Sequence, residues 1–382
     1  MSKSDLAEPA SCTNTESSQR RRFFPQATDE QWSDWKWHLR NRIRSFSRLS
    51  QLLQLSEEEK LAADGSGLPV SITPYYASLM DPTDSMDPIR RCMVPVINET
   101  FKAPEESEDP LCEAEQSPLP TLVHRYPDRV LFLTTNLCSS YCRYCTRSRT
   151  VGQKTETGLY TRSAWTENLQ YIRDHREIRD VLLSGGDPLM LSTETLEWLL
   201  AELRDIPHVE MVRIGTKIPI VLPQRVTEEL TSMLKKYHPL FMSIHCTHPR
   251  EVTPESSQAL NRLADAGIPL GSQTVLLAGI NDEAEILKQL FHRLLRCRVK
   301  PYYMYSCDRI IGSSHFVVPV QKGRDLIKAL RGHTSGYAIP TYVIDAPGGG
   351  GKIPVGPNYI ESIDENRVVM KNYEDDLYVY QQ

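Results

Sequence analysis

An apolar run leads directly into three cysteines in the stretch Val130-Leu-Phe-Leu-Thr-Thr-Asn-Leu-Cys138-Ser-Ser-Tyr-Cys142-Arg-Tyr-Cys145. A run of this length and composition is typical of a strand buried in a parallel sheet. Because α/β barrels carry their functional residues in the loops that follow the strands, a loop of cysteines in this place is a candidate site. The stretch therefore predicts an α/β fold with its chemistry at the carboxyl ends of the strands.

Strand-like runs and helix-like windows alternate after this stretch. The further apolar runs lie at 181–183, 211–214, 240–244, 271–277 and 299–305. The amphipathic windows lie at 162–175, 193–204, 226–237, 256–266 and 283–296. Six strand–helix units in series predict a partial TIM-like (βα)6 barrel, with a seventh apolar run at 341–344 after them. A doubly wound open sheet is the alternative, since alternation alone does not fix the order of the strands.

Composition divides the chain into four predicted regions. They are a disordered tail at 1–24, an N-terminal helical and wrapping segment at 25–120, the barrel at 121–335 and a C-terminal segment at 336–382. Order is expected from Thr28, because capping boxes at Thr28–Gln31 and Ser56–Glu59 begin helical patterns. An apolar stripe from Trp32 to Phe46 predicts a helix that packs on the barrel.

The global charge gives no sign of a polyanionic partner. The 382 residues carry a formal net charge of -5, with a pI near 6.1. A chain of this charge is not drawn to nucleic acid or to an anionic membrane surface. No apolar run approaches the roughly 20 residues that span a bilayer, and the polar N-terminus lacks the apolar stretch of a signal peptide. We therefore expect a cytoplasmic protein with no nucleic-acid or membrane partner.

The strongest local signal is the C-x3-C-x2-C spacing of Cys138, Cys142 and Cys145. Three thiolates can bind three irons of a [4Fe–4S] cluster and leave the fourth iron open to a ligand. A structural zinc site normally takes four Cys or His ligands, and a ferredoxin-type cluster takes a fourth cysteine. Neither a fourth cysteine nor a second C-x2-C pair lies nearby in the sequence. We predict an open iron–sulfur cluster, with chance clustering of thiols as the remaining alternative.

A second signal is the glycine run in Asp345-Ala-Pro-Gly348-Gly349-Gly350-Gly351-Lys352. Such a run lets backbone N–H groups approach an anion, and a lysine beside it can bond covalently to an aldehyde cofactor. A Walker A loop is excluded, because Ala346 and Ile353 stand where that pattern needs glycine and Ser or Thr. From the residues alone, a flexible turn with a solvated lysine is the preferred interpretation.

Several longer motifs resemble one known family. They are His124-Arg-Tyr-Pro-Asp-Arg129, the cysteine loop, Asp180-Val-Leu-Leu-Ser-Gly-Gly-Asp187, Arg331-Gly-His-Thr-Ser-Gly336 and the stretch from Asp345 to Lys352. Together they resemble the lysine 2,3-aminomutases, which are isomerases of the radical S-adenosylmethionine superfamily. The resemblance implies that a 5′-deoxyadenosyl radical takes a hydrogen atom from carbon 3 of an amino acid, whose amino group then moves from carbon 2 to carbon 3.

The resemblance also implies roles for residues around three cofactors. The three cysteines would bind the [4Fe–4S] cluster. The residues on the S-adenosyl-L-methionine side would be Tyr144, Ser184, Gly185, Gly186, Asp187, His245 and Gln273. Lys352 would be the catalytic residue that binds pyridoxal 5′-phosphate, and the residues lining that cofactor, chiefly its phosphate, would be Arg125, Tyr126 and Arg129. Arginine suits this task because its planar fork pairs with phosphate oxygens.

Three further residues would select a cationic amino acid. Arg147 matches the arginine that holds the substrate carboxylate, and Asp308 and Asp345 match two aspartates that receive the distal ammonium of lysine. In the related glutamate aminomutases these acidic positions are replaced, which argues against an acidic substrate. L-Lysine, converted to β-lysine, is the first choice. L-Arginine is the alternative, because Ser306 stands where the family often has the larger Gln.

Partners follow from the same resemblance. It implies an electron donor of the flavodoxin or ferredoxin type and a homo-oligomer. A non-catalytic iron–sulfur sensor is a hypothesis of another class, which needs the cysteine loop but has no use for Lys352 or the aspartate pair. A barrel enzyme without cluster chemistry would need the cysteines to be incidental. Without the resemblance, Asp308 and Asp345 would be assigned to caps or turns.

Overall fold

The computed structural model describes residues 20–64, 68–153 and 159–382. The α-helices that lie wholly within these ranges are numbered α1 to α13. Their bounds are Asp29–Ser33, Trp35–Arg40, Phe46–Leu52, Glu57–Leu61, Pro74–Ala77, Pro88–Arg91, Arg162–Asp174, Thr193–Arg204, Ile218–Val221, Glu228–Leu234, Pro254–Asp265, Ala284–Arg296 and Val320–Leu330. The strands β1 to β12 are Leu122–Tyr126, Arg129–Thr135, Asp180–Gly185, Met211–Thr216, Leu240–His245, Leu270–Leu276, Val299–Ser306, Thr341–Ala346, Gly351–Pro354, Ile360–Ile363, Arg367–Lys371 and Leu377–Gln381.

Nine of these strands form one mixed sheet in the consecutive order β1 to β9. The strands from β2 to β8 run parallel, while β1 and β9 pair antiparallel with their neighbours. The predicted α/β class is confirmed. The parallel part has seven strands, because the seventh run, predicted at 341–344, extends to Thr341–Ala346 and pairs with β7. A doubly wound sheet reverses its strand order at one point, and the consecutive order here shows that this alternative is wrong.

The two edges of the sheet are joined by side chains. The hydroxyl oxygen of Tyr126, at the end of β1, accepts a hydrogen bond from the backbone N–H of Lys352 on β9 at 2.9 Å. The side-chain amide of Gln116, just before β1, donates to the carbonyl oxygen of Gly349 at 3.1 Å. The sheet is therefore barrel-like and nearly closed.

Helices cover the outside of the sheet with apolar faces. In α12 the buried residues are Leu287, Leu290, Phe291 and Leu294, which recur at the spacing of one helical face. Burial of such faces against parallel strands is the usual way in which α/β domains form their core. Among the described residues, no helix is long and apolar enough to span a membrane.

The N-terminal segment corrects two predictions. Residues 1–19 lie outside the described part of the chain, but residues 20–23 are helical. Phe23 and Phe24 are buried, and the ring of Phe24 lies 5.9 Å from that of Trp32. Order therefore begins before Thr28, because this aromatic pair has a surface to pack on. The predicted tail at 1–24 extends too far.

The stripe from Trp32 to Phe46 is not one helix. Both predicted capping boxes are present, at Thr28 and at Ser56. However, α1 ends at Ser33. The carboxylate of the next residue, Asp34, accepts hydrogen bonds from the backbone N–H groups of Lys36 and Trp37 and so begins α2. A capping aspartate within an apolar pattern divides it into two short helices.

A buried ion pair joins α4 to α6. The Nε and Nη2 atoms of Arg90 donate to the carboxylate of Glu59 at 2.7 and 2.6 Å, and the two side chains are 0% and 2% exposed. Removing one partner of such a pair leaves an uncompensated charge in the interior.

We expect Glu59→Gln to lower the free energy of unfolding by about 3–5 kcal/mol. Glu57→Gln is the matched control, because Glu57 lies in the same helix but forms an exposed pair with Lys60, worth about 0–1 kcal/mol. Urea unfolding measures both variants. Equal losses in the two variants would show that burial of the Glu59 pair contributes nothing.

The C-terminal residues form a separate sheet in the order β10-β11-β12. All three strands are antiparallel, and β10 and β12 are exposed along their length. This sheet does not contribute to the cavity described next.

Candidate active site

The main sheet surrounds a cavity of about 910 Å³. Each strand from β1 to β9 contributes lining residues. The predicted site residues that line it are Arg125, Tyr126, Arg129, Tyr144, Arg147, Ser184, His245, Gln273, Asp308, Asp345 and Lys352. Residues spread over 228 positions of sequence, from 125 to 352, thus meet in one cavity.

The cysteine loop follows β2 and is clamped by the N-terminal segment. Arg143 is buried, and its guanidinium donates to the carboxylate of Glu99 and to the carbonyl oxygen of Leu68, both at 3.0 Å. The backbone N–H of Tyr141 donates to Ser71 at 2.9 Å, and Arg42 donates to the carbonyl oxygen of Cys138 at 3.0 Å. The loop conformation is therefore fixed by residues that precede the barrel.

The three thiols lie close enough to influence one another. Burial raises the pKa of Cys138, Cys142 and Cys145, the last to about 11, and neighbouring thiols raise those of Cys138 and Cys145 further. Cationic irons would offset this mutual repulsion, since a coordinating thiol is deprotonated outright. Among the described residues, no group of three or more Cys, His, Asp or Glu could hold a single metal ion. A cluster makes a different demand, because each thiolate binds a different iron.

The Ser184-Gly185-Gly186-Asp187 turn packs against the back of the cysteine loop. A side chain at Gly185 would meet the carbonyl oxygen of Thr135 at 2.3 Å, and one at Gly186 would meet that of Leu137 at 2.3 Å. Only glycine permits this approach, and Gly185 also has a φ of +118°. The turn therefore holds the end of β3 directly on the loop.

The Asp187 carboxylate is used within the fold. It accepts hydrogen bonds from the Thr216 hydroxyl at 2.7 Å and from the backbone N–H groups of Lys217 at 2.8 Å and Ile218 at 3.1 Å. Of the four turn residues, Ser184 is the one found in the described cavity lining. The side chain of Asp187 thus has a structural role, and any contact of its own with a ligand would come from its backbone.

Lys352 lies on a hairpin and not on a flexible turn, so the interpretation preferred from the residues alone is corrected. Strands β8 and β9 pair Asp345 with Lys352, and the Lys352 Nζ lies 3.1 Å from the Asp345 carboxylate. Gly348, Gly349 and Gly351 have φ values of +71°, +78° and +83°. These glycines supply the left-handed residues that the tight connection requires.

Two arginines lie beside this hairpin, on the first two strands. The Arg129 guanidinium stacks 3.9 Å from the centre of the Tyr126 ring. Arg125 donates to the side chain of Gln116 and to the carbonyl oxygen of Leu111. Two guanidinium groups, a phenol and a lysine amine on one wall form a donor set suited to an anionic aldehyde.

Two carboxylates share the cavity with Lys352. The Asp308 carboxylate accepts a hydrogen bond from the Thr146 hydroxyl at 2.6 Å. Burial raises the pKa of Asp308 to about 6, and the nearby Asp345 charge adds to this effect. Like charges held together in a partly buried place favour a cation between them.

Arg147 is paired with a residue that the sequence analysis did not single out. Its Nε and Nη2 atoms donate to the two carboxylate oxygens of Glu113 at 3.0 and 2.6 Å. Its Nη1 lies 3.4 Å from the Ser184 hydroxyl. No local pattern distinguishes Glu113 from the acidic residues around it, so the sequence offers no signal for this contact.

Three further predicted residues line the cavity near the cysteine loop. The Tyr144 hydroxyl is hydrogen-bonded to that of Thr247 at 2.8 Å. Burial, together with the charges of Lys217 and Arg147, lowers the pKa of His245 to about 4. His245 is therefore neutral at physiological pH. Gln273, on β6, completes this group as a neutral polar side chain.

Two family models match the sequence. One, described as the radical SAM superfamily, matches residues 132–290, and one described as lysine-2,3-aminomutase matches residues 327–382. The L-lysine 2,3-aminomutase of Clostridium subterminale is 50% identical over 363 residues, which are 94% of this chain and 87% of that protein. This chain belongs to the lysine 2,3-aminomutase family. It is accordingly a radical SAM isomerase, and its family implies a [4Fe–4S] cluster and S-adenosylmethionine.

Relatives of this chain are named for more than one substrate. The glutamate 2,3-aminomutase of Clostridioides difficile is 43% identical over 349 residues, which are 91% of this chain and 82% of that protein. The crystal structure of Streptococcus suis SuiB bound to S-adenosylmethionine gives a TM-score of 0.44 at 11% identity, over 54% of this chain and 47% of that one. Membership of the family therefore does not by itself identify the substrate.

Proposed function

We propose that this chain is a pyridoxal phosphate-dependent 2,3-aminomutase that converts L-lysine to β-lysine. The observation that carries the proposal is one cavity that holds both a guanidinium suited to a carboxylate and two carboxylates suited to a cation. Arg147 lines it on the cysteine-loop side, and Asp308 and Asp345 line it beside Lys352. An amino acid with a cationic side chain has the complementary charges at its two ends.

Cys138, Cys142 and Cys145 would hold the cluster, and Tyr144, Ser184, His245 and Gln273 would border S-adenosylmethionine. When bound, the cluster and S-adenosylmethionine together supply the radical that removes a hydrogen atom from the substrate. Neutral His245 adds no charge that would compete for the substrate ends. Gly185, Gly186 and Asp187 would contribute by fixing the cysteine loop and by their backbone groups.

Lys352 would hold pyridoxal phosphate, with Arg125 and Arg129 directed to its phosphate. When bound, this cofactor supplies the aldehyde that carries the migrating amino group. Asp345 accepts a hydrogen bond from the Lys352 amine at 3.1 Å and so orients it. Tyr126 fixes the backbone of the same residue at 2.9 Å.

We expect Gly351→Ala to reduce covalent loading of Lys352 with pyridoxal phosphate. A side chain there would meet the Tyr126 hydroxyl at 2.7 Å and would adopt a φ of +83°, a conformation costing about 1–2 kcal/mol. The fraction of labelled peptide after borohydride reduction measures the effect. Gly356→Ala is the control, because a side chain at Gly356 meets nothing within 4 Å. Normal loading of the Gly351 variant would show that the hairpin tolerates the displacement.

L-Arginine is the second candidate substrate. Ser306 lines the cavity beside the aspartate pair, and its short side chain leaves room for a guanidinium. Both candidates need the same two carboxylates, so the choice between them depends on cavity length and not on charge.

The proposal also covers the division of the chain into regions, its partners and its location. We assign 121–335 to a partial (βα)6-type barrel, whose sheet is extended by β8 and β9 of the C-terminal segment at 336–382. The wrapping segment at 25–120 precedes it. A flavodoxin- or ferredoxin-type reductant, a homo-oligomer and a cytoplasmic location remain predictions from the sequence.

The deciding experiment is an anaerobic assay of the protein reconstituted with iron, sulfide and pyridoxal phosphate. S-Adenosylmethionine and dithionite are added, and L-lysine and L-arginine are offered separately. Formation of β-lysine supports the first candidate, and formation of β-arginine alone supports the second. Cleavage of S-adenosylmethionine without either product would overturn the substrate assignment. No cleavage by a fully loaded cluster would favour a non-catalytic sensor.

A further inference from the structure

The wrapping segment places a carboxylate inside the cavity. Glu113 lines it, and its side chain is 6% exposed. Burial alone would raise the pKa of this carboxyl, but the Arg147 charge and hydrogen bonds lower it below its ordinary value. Glu113 is therefore ionised at neutral pH, next to the residue proposed to receive the substrate carboxylate.

Within the described residues, the pairing leaves the other edge of Arg147 without a carboxylate partner. A guanidinium has five N–H donors, and Glu113 takes those of Nε and one of Nη2. Of the three remaining donors, one of Nη1 and one of Nη2 lie together on the edge formed by these two atoms. The Ser184 hydroxyl, 3.4 Å from Nη1, also lines the cavity. That edge can form a second bidentate pair with a carboxylate.

Glu113 is itself held from several directions. The Asp109 carboxylate accepts hydrogen bonds from the backbone N–H groups of Glu113 at 3.1 Å and Ala114 at 2.9 Å. Asp109 also pairs with Arg149. The Ser117 hydroxyl donates to the carbonyl oxygen of Glu113 at 2.6 Å. A carboxylate fixed in this way can set the direction of the arginine it holds.

We propose that Glu113 is a positioning residue that turns the Nη1–Nη2 edge of Arg147 toward the α-carboxylate of the substrate. The inference rests on the proposed function, and it adds a specificity residue from outside the barrel. The competing possibility is that Glu113 occupies the carboxylate position and must be displaced. The two possibilities predict opposite changes in substrate affinity when Glu113 is replaced. Loss of a positioning residue weakens substrate binding, and loss of a competitor strengthens it.

The test uses calorimetry on the anaerobic holoenzyme without S-adenosylmethionine, so that no turnover occurs. The ligands are L-lysine and L-lysinamide, whose neutral amide replaces the carboxylate. We expect Glu113→Gln to raise the Kd for L-lysine about tenfold and that for L-lysinamide less than twofold. Glu113→Asp keeps the charge on a shorter side chain and is expected to fall between wild type and Gln. Glu210→Gln is the control, because Glu210 forms the same two-point pair with Arg179 on the surface.

Each other outcome overturns the proposal. Tighter binding of L-lysine by Glu113→Gln would identify Glu113 as a competitor. Equal weakening of both ligands, or weakening also in Glu210→Gln, would mean a general structural loss. An unchanged Kd in a variant of an enzyme that binds L-lysine would refute the positioning role alone. If the wild type binds neither L-lysine nor L-arginine, the proposed function fails and the positioning role falls with it.

Discussion

Replacement of Lys352 by alanine is expected to lower turnover by roughly 1000-fold or more, because the residue that holds the cofactor in place is lost. The iron–sulfur absorbance should be unchanged, since the cysteine loop is clamped by Arg42, Ser71 and Glu99 and not by the hairpin. Product formation and visible absorbance, measured on the same reconstituted sample, separate these two effects.

The matched control is Lys322→Ala. Lys322 is a surface lysine paired with Asp282, so its loss should leave turnover within about twofold. A Lys352→Ala enzyme that retained activity would disprove the assignment of Lys352. Loss of the cluster in this variant would instead mean that the hairpin supports the loop.

Asp308→Asn is expected to weaken L-lysine binding by about 30-fold or more, because truncation of one partner of a buried charge pair costs about 2–5 kcal/mol. Asp345→Asn should weaken it as well, and it should also disturb the Lys352 amine that Asp345 orients. Calorimetry on the holoenzyme measures binding, and bound pyridoxal phosphate measures loading. Equal loss of loading and of substrate binding in Asp308→Asn would show that Asp308 is structural.

Asp308→Asn should also stabilise the unliganded protein. The pKa of Asp308 is raised from 3.8 to about 6, so the folded state binds the proton more tightly than the unfolded state does. Stability is therefore lost as pH rises from about 4 to about 6, and the loss is complete above that. One pKa unit is worth about 1.4 kcal/mol, and partial exposure reduces this. We expect a gain for Asp308→Asn on the order of 1–2 kcal/mol at pH 7 and none near pH 4.

Binding has the opposite dependence on pH. Asp308 must be ionised to attract an ammonium group, so affinity of the wild type for L-lysine should fall as pH drops through about 6. The control is Asp265→Asn, which removes a carboxylate from an exposed pair with Arg298. It should change neither the pH dependence of stability nor that of L-lysine binding. A wild-type Kd that stays constant from pH 7 to pH 5 would remove Asp308 from the binding site.

The sequence predicted those features that local pattern determines. Alternating runs indicated the strands, and the cysteine spacing indicated the loop that the N-terminal segment clamps. The glycines of the hairpin were visible, but their meaning was not, because a tight connection and a flexible turn use the same residues. Only the pairing of Asp345 with Lys352 distinguishes the two.

Contacts between distant segments were beyond the reach of pattern. Glu113 and Arg147 are 34 positions apart and meet only once the wrapping segment crosses the cavity. The Asp187 carboxylate accepts hydrogen bonds from backbone N–H groups at the start of α9, about 30 residues later, and does not line the cavity. The sequence of a turn motif does not indicate which residue its charged side chain will bond, because that partner comes near only in the folded chain.

The clamp on the cysteine loop also bears on the order of assembly. Its anchors at Arg42, Leu68, Ser71 and Glu99 all precede the loop in the chain, so they leave the ribosome first. Ordering a residue costs about 1–2 kcal/mol of backbone entropy. The hydrogen bonds of the clamp use backbone groups and arginine side chains and not the thiols, so they offset part of that cost without using a cluster ligand.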